Sequence, residues 1–156
     1  MKPVFHINFD FDTDSLLEEA NKQLKDKSTA SHRGYEVMYD DWLFAPGGEV
    51  ANEECKRFLN HYDLEEGDGR YHLLKADSYL IPHVDIDSTC GVNHVLSTDR
   101  APVNYMKEEY TYKTALLDTT QKHGVVNLGY PDRIIYKICF RKHTYEEVIQ
   151  KINGTH

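Results

Sequence analysis

From Tyr71 onwards the chain is built of short β-prone runs. YHLLKA, SYLIPHVDI, CGVNHVL, PVNY, YTYKTALL, HGVVNL and RIIYKICF follow one another, separated by turn formers. Short strands at such regular spacing specify a sandwich, a jelly roll or a small barrel. At 156 residues the chain is long enough to bury a sizeable core in one domain. The expected organisation is a single domain over 1–156: strands and helices in 1–70 supporting the barrel, a β-core over 71–141, and a closing helix over 144–153.

The flanking segments read differently. PVFHINFDF (3–11) alternates apolar and polar residues, which predicts a strand. Ser15 and Glu18 form a capping-box pattern ahead of a helix over 16–25. KDKSTASHRG is polar and small and is expected to be a loop; Lys22, Lys25 and Lys27 read as a solvated face. YEVMYDDWLF predicts a strand or strand pair closed by the PGG turn. Asn52 is placed to cap a helix through EECKRFLNHY, and DLEEGDG to form a loop. Thr144 and Glu147 form a second capping box, opening YEEVIQKI, with Asn153-Gly154 as its stop.

Charge and cysteine content exclude several classes. A formal net charge of −8 repels phosphate backbones, so nucleic acid is not the expected partner. Three cysteines, none in a C-x-x-C, imply no disulfide framework and point to a reducing cytoplasm. No apolar run reaches the roughly 18 residues of a membrane span, and MKPVFHINFDFD is too polar for a signal peptide. Oligomeric state leaves no trace in the sequence.

One pattern carries chemistry. In YLIPHVDID, His83 precedes Asp85 by two residues. Residues i and i+2 of a strand share a face, so both can reach one ion. His123, which follows a polar turn and begins another β-run, is the best third ligand. Two imidazoles and a carboxylate on one face of a metal, with the opposite positions open, make the non-haem iron facial triad. Ten residues on, Arg133 opens RIIYKICF, and its planar guanidinium suits bidentate binding of a carboxylate.

H-x-D, then His, then Arg about ten residues later, all on short strands, resembles the 2-oxoglutarate- and Fe(II)-dependent oxygenases. The texture HVDIDSTCGVN, ALLDTTQKHGVVN and DRIIYKICF is most similar to the aspartyl/asparaginyl β-hydroxylase-like and bacterial proline hydroxylase groups. The resemblance covers roughly 71–141. It implies a double-stranded β-helix (a jelly roll, cupin-like) with flanking helices. It also implies Fe(II) on His83, Asp85 and His123 as the catalytic centre. 2-Oxoglutarate would be anchored on Arg133, O2 would be consumed, and an amino acid, a peptide side chain or another small metabolite would be hydroxylated. It places a polar co-substrate ligand at Asn93, with His94 as the alternative of opposite parity. A phenol to the co-substrate is expected from Tyr79, or from Tyr105 or Tyr112. Asn127 would support His123, and Asp118 would be a turn residue. Activity is expected to fall at acid pH, since histidine ligates only when neutral.

Each of these residues also has a structural reading. His83 and His123 could be satisfied histidines of a β-core, Asp85 a turn cap and Arg133 one half of a surface ion pair. His6, His32, His61, His72, His143 and His156 read as surface or packing residues. Arg133 shares strand parity with Ile135, Lys137, Cys139 and Arg141; the opposite set, Ile134, Tyr136, Ile138 and Phe140, is the more apolar. If Arg133 faces the interior, so does Lys137, unless a bulge shifts the register, and the apolar set packs on the helices. Two other functions remain open: a cupin-like metalloenzyme without 2-oxoglutarate, and a non-enzymatic β-sandwich binding module. Residues 26–50 read either as a substrate-side lid or as a connector.

Overall fold

The computed structural model describes residues 1–25, 41–98 and 100–154, with the backbone of Ser31–His32. In chain order the elements are β1 (Val4–His6), α1 (Thr13–Lys25), β2 (Ser31–His32), β3 (Trp42–Pro46), α2 (Glu49–Tyr62), β4 (Asp68–Leu74), β5 (Tyr79–His83), β6 (Cys90–Val95), β7 (Val103–Tyr105), β8 (Glu108–Tyr110), β9 (Thr114–Leu117), β10 (His123–Val126), β11 (Arg133–Phe140) and α3 (Tyr145–Gly154). They form two antiparallel sheets, one in the order β1-β9-β6-β11-β4-β3-β2 and one in the order β5-β10-β7-β8. The architecture is the expected mainly-β double-stranded β-helix with flanking helices. No helix among the described residues is long and apolar enough to cross a membrane.

Strand β11 shows how the sheet divides the molecule. Its Ile138, Phe140 and Tyr136 are fully buried in a cluster with Leu16, Phe58 and Val148, one residue from each helix. Its opposite face sends Ile135 into a second cluster with Leu74, Val95, Val103, Tyr112 and Val125, residues drawn from both sheets. The strand is regular from Arg133 to Cys139 against β4. The parity conflict therefore needs no bulge: the apolar face meets the helices, and the mixed face lines the space between the sheets. Truncating one of the large rings of this helix–sheet cluster, such as Phe58, would cost about 3–5 kcal/mol.

Several element boundaries differ from expectation, each for a tertiary reason. Only Val4–His6 of the 3–11 run pairs, against β9; beyond it, Phe9 and Phe11 pack as rings on Phe58. Helix α1 begins at Thr13, because Asp12 accepts from the Ser15 N–H and displaces the Ser15 cap. Helix α2 starts at Glu49 and is not capped by Asn52. The Glu19 carboxylate of α1 accepts from the N–H groups of Gly48, Val50 and Ala51 instead. β4 begins inside the predicted DLEEGDG loop, since Asp68, Gly69 and Arg70 pair with β11. The C-terminal capping box forms as expected: the Glu147 N–H donates to Thr144 Oγ1, and the Thr144 N–H to Glu147 Oε2. The strand expected over 35–44 is seen from Trp42, after a turn at Asp41; residues 35–40 and most of KDKSTASHRG lie outside the described residues.

Candidate metal centre and its cavity

His83 ends β5 and His123 opens β10, and the two are direct antiparallel partners. The close approach depends on Gly124, where a Cβ would sit 2.6 Å from the Leu80 carbonyl oxygen. The imidazole centroids are 4.6 Å apart. Asp85 lies just past the end of β5, and its N–H donates to the Thr119 carbonyl. Its Oδ1 stands 3.3 Å from His83 Nε2 and 3.4 Å from His123 Nε2.

The ring tautomers follow from the second nitrogens. His83 Nδ1 lies 2.9 Å from the Ile81 carbonyl and His123 Nδ1 lies 2.8 Å from that of Gln121. A carbonyl oxygen can only accept, so each Nδ1 carries the proton and, in the neutral ring, Nε2 presents a lone pair. Two Nε2 lone pairs and a carboxylate oxygen thus face one another, an arrangement that repels unless a cation lies between. One ligand atom from each residue falls within 4.8 Å of the others. Neighbouring ligands at about 2.1 Å from one ion, set at right angles, are about 3 Å apart, close to the observed separations. Two imidazoles and one carboxylate suit divalent iron, among other transition metals. The residues fit a metal.

The other oxygen of Asp85 is held separately. Lys137 Nζ donates to Oδ2 over 2.9 Å, and Ser88 Oγ over 3.3 Å. Burial by itself would raise the Asp85 pKa; the charge of the neighbouring Lys137 ammonium opposes it and holds the carboxyl well below the usual carboxylate range. Burial likewise works to lower the Lys137 pKa, and the charge of Asp85 more than reverses it. The carboxylate is therefore ionised and split in function, Oδ2 tied to the protein and Oδ1 turned to the imidazoles.

A cavity of about 340 Å³ opens over this cluster. Leu74, Leu80, Val103, Leu117, Val125 and Ile135 give it apolar walls. Arg133, 6 % exposed, and Asn93 also line it; Arg133 Nη2 and Asn93 Nδ2 both donate to the Tyr112 hydroxyl, at 2.8 and 3.0 Å. Arg133 Nε and Asn93 Oδ1 are buried without a hydrogen-bond partner among the described residues. A buried guanidinium edge and a buried amide oxygen left open in this way ask for a polar guest.

The expected residues are thus brought together at His83, Asp85, His123, Arg133 and Asn93. Tyr79 is a correction. It is 56 % exposed, pairs with Val126 at the outer end of β5 and does not line the cavity. Tyr112 is the phenol that reaches Arg133, while Tyr105 stacks on His123 and donates to the Asp118 carbonyl. Asn127 does not support His123; it is fully buried and donates to the carbonyls of Lys75 and Pro131. Asp118 is the expected turn residue, accepting from Thr120 and Gln121. His72, expected in packing or at the surface, lines the cavity and stacks on Trp42. Lys137, Arg70 and Trp42 also line it; Lys137 is signalled by its parity with Arg133, Trp42 lies in the 26–50 stretch read as a lid or a connector, and Arg70 carries no sequence signal.

The sequence matches no protein-family model and no curated protein. Similar folds occur among solved structures. A prolyl-4-hydroxylase of Pseudomonas putida is 11 % identical, with a TM-score of 0.59 over 84 % of this chain and 86 % of that one. The viral collagen prolyl hydroxylase of Paramecium Bursaria Chlorella virus-1, in its 2-oxoglutarate complex, is 14 % identical, with a TM-score of 0.56 over 88 % of this chain and 94 % of that one. The chain shares the jelly-roll fold of these two structures. At these identities the likeness extends to the fold alone.

Proposed function

We propose that this protein is an Fe(II)- and 2-oxoglutarate-dependent dioxygenase that hydroxylates an amino acid, a peptide side chain or another small molecule. The observation that carries the reading is the convergence of His83 Nε2, His123 Nε2 and Asp85 Oδ1 in the same cavity as the buried, partly unpartnered Arg133. The two prolyl hydroxylases of like fold, one of them in complex with 2-oxoglutarate, support it.

His83, Asp85 and His123 would hold the iron, and Arg133, with Tyr112 and Asn93 beside it, the distal carboxylate of 2-oxoglutarate. Bound together, these two groups would supply reduction of O2 coupled to decarboxylation of the co-substrate, leaving a hydroxyl on the substrate. The protein's own part is geometric and electrostatic. The Ile81 and Gln121 carbonyls fix the ring tautomers, so no proton has to leave Nε2 before a metal binds. Lys137 keeps Asp85 ionised and occupies its second oxygen. The apolar walls exclude water around the reacting centre.

The test is anaerobic titration of the Fe(II)-loaded protein with 2-oxoglutarate, followed by its weak visible charge-transfer band. The band should appear and saturate at one equivalent, and His83→Ala, Asp85→Ala and His123→Ala should each abolish it. Iron binding without a band would leave a metalloenzyme that does not use 2-oxoglutarate. Failure to bind iron at all would return the three residues to packing roles and the protein to a binding module.

A further inference from the structure

The cavity holds a cation that the chemistry above does not use. Arg70 of β4 is 5 % exposed and lines the same cavity. It stands directly opposite Lys137 in the β4–β11 register, whereas Arg133 stands opposite Leu74. Four residues of strand, about 13 Å, separate the two ends of this wall. Lys137 grips Asp85, so the metal ligands lie at the Arg70 end. That end is also the way in: Val84, Ile86 and Asp87 line the cavity, and Ile86 is 90 % exposed.

The Arg70 guanidinium is only half engaged. Nη2 donates to Asp68 Oδ2 at 2.5 Å, and Asp68 is half exposed and shared with Arg141 at 3.7 Å. The Nε–H is buried and has no acceptor among the described residues. The guanidinium lies 5.2 Å from the centre of the Phe44 ring. A buried donor on a permanently charged group that lines a cavity is a site for an oxyanion.

We propose that Arg70 anchors a carboxylate of the substrate, which makes the substrate a small carboxylic acid and not an uncharged compound or the interior of a polypeptide. This rests on the dioxygenase reading, which commits Arg133 to the co-substrate. The acid group would sit at Arg70, and the carbon to be oxidised would lie towards Asp85, His83 and His123. The rim limits the guest's charge. Asp68 and Asp87, both ion-paired with Arg141, stand beside Arg70 and disfavour a dianion such as phosphate.

Calorimetric titration of the Mn(II)-loaded protein, with and without saturating 2-oxoglutarate, tests this. The probes are the common L-amino acids and their N-acetyl derivatives, each as the free acid and as the carboxamide. At least one free acid should bind about tenfold or more tightly than its carboxamide, as a lost charge-assisted bond requires. Arg70→Gln should erase that preference and leave 2-oxoglutarate affinity within about twofold of wild type; Arg70→Lys should retain part of it. The proposal is overturned if acids and amides bind alike, if no free acid binds at millimolar concentration, or if Arg70→Gln keeps the preference or weakens 2-oxoglutarate. If 2-oxoglutarate itself fails to bind the wild type, the dioxygenase reading falls. The acid-over-amide comparison without 2-oxoglutarate still decides Arg70.

Discussion

Lys137→Met removes the ammonium from Asp85 and keeps most of the aliphatic stem. The two charges are 2.9 Å apart, with side-chain exposures of 12 % and 14 %. At an effective dielectric of about 20, such a pair attracts by about 6 kcal/mol. The variant also escapes the cost of burying the ammonium, so the net loss in the metal-free protein should be about 3–5 kcal/mol at neutral pH. In a chain of this size that is a fall in Tm of roughly 6–20 °C. A divalent ion at the triad would replace the lost positive charge, and a like-charged neighbour would no longer oppose it. Metal should therefore raise the Tm of Lys137→Met by more than it raises that of the wild type. The deficit should also shrink on acidification, because a proton can take the place of the ammonium on Asp85. Scanning calorimetry with and without Mn(II), at two pH values, reads all three effects. A metal-free variant as stable as the wild type, or one gaining less from metal, would refute the reasoning that Lys137 serves to hold an ionised Asp85.

Arg133→Gln should leave metal binding intact and weaken 2-oxoglutarate by about 10–150-fold, the equivalent of one charge-assisted bond of about 1.5–3 kcal/mol; equilibrium titration on the metal-loaded protein checks it. His94 is buried against Thr13 and Thr114, and burial, with Lys113 nearby, lowers its pKa to about 4. The unfolded chain takes up a proton near pH 6.5 that the folded protein refuses. The His94 contribution is thus intact above about pH 6.5 and declines as pH falls towards 4, by about 3 kcal/mol in all. Denaturation at pH 7 and pH 4.5 should show a smaller acid loss in His94→Gln than in the wild type. Glu19→Ala leaves three N–H groups of the α2 terminus and the Tyr71 hydroxyl without their acceptor. It should cost about 2–3 kcal/mol, seen as a lower midpoint in denaturant, with faster amide exchange at the start of α2.

The candidate metal ligands could be picked out because local rules bring most of them together. His83 and Asp85 are two residues apart, and period-2 geometry alone brings them to one side. His123 and Arg133 each open a β-run. The alternation in RIIYKICF likewise separated the helix-facing set from the cavity-facing set. Tyr79 could not be told from Tyr112 in this way. Eleven tyrosines look alike in sequence, and the distinction depends on which end of which strand meets Arg133. The cap of α2 was misread for a related reason: Asn52 is a good local cap, but Glu19, more than thirty residues away, supplies a charged acceptor to the N–H groups before it.

The sequence by itself determined the β-core, the capped C-terminal helix and the His83–Asp85 pair of the candidate ligand set, since each is written in short-range periodicity or spacing. Tertiary structure decided what surrounds that set. Register between β4 and β11 set Arg70 opposite Lys137, and pairing of β5 with β10 set His83 opposite His123. The return of the chain through Tyr112 gave Arg133 and Asn93 a shared hydroxyl. Those contacts join residues far apart in the chain. Their partners are chosen by which pairing buries the apolar faces of both sheets at once, a condition that no local window of sequence contains.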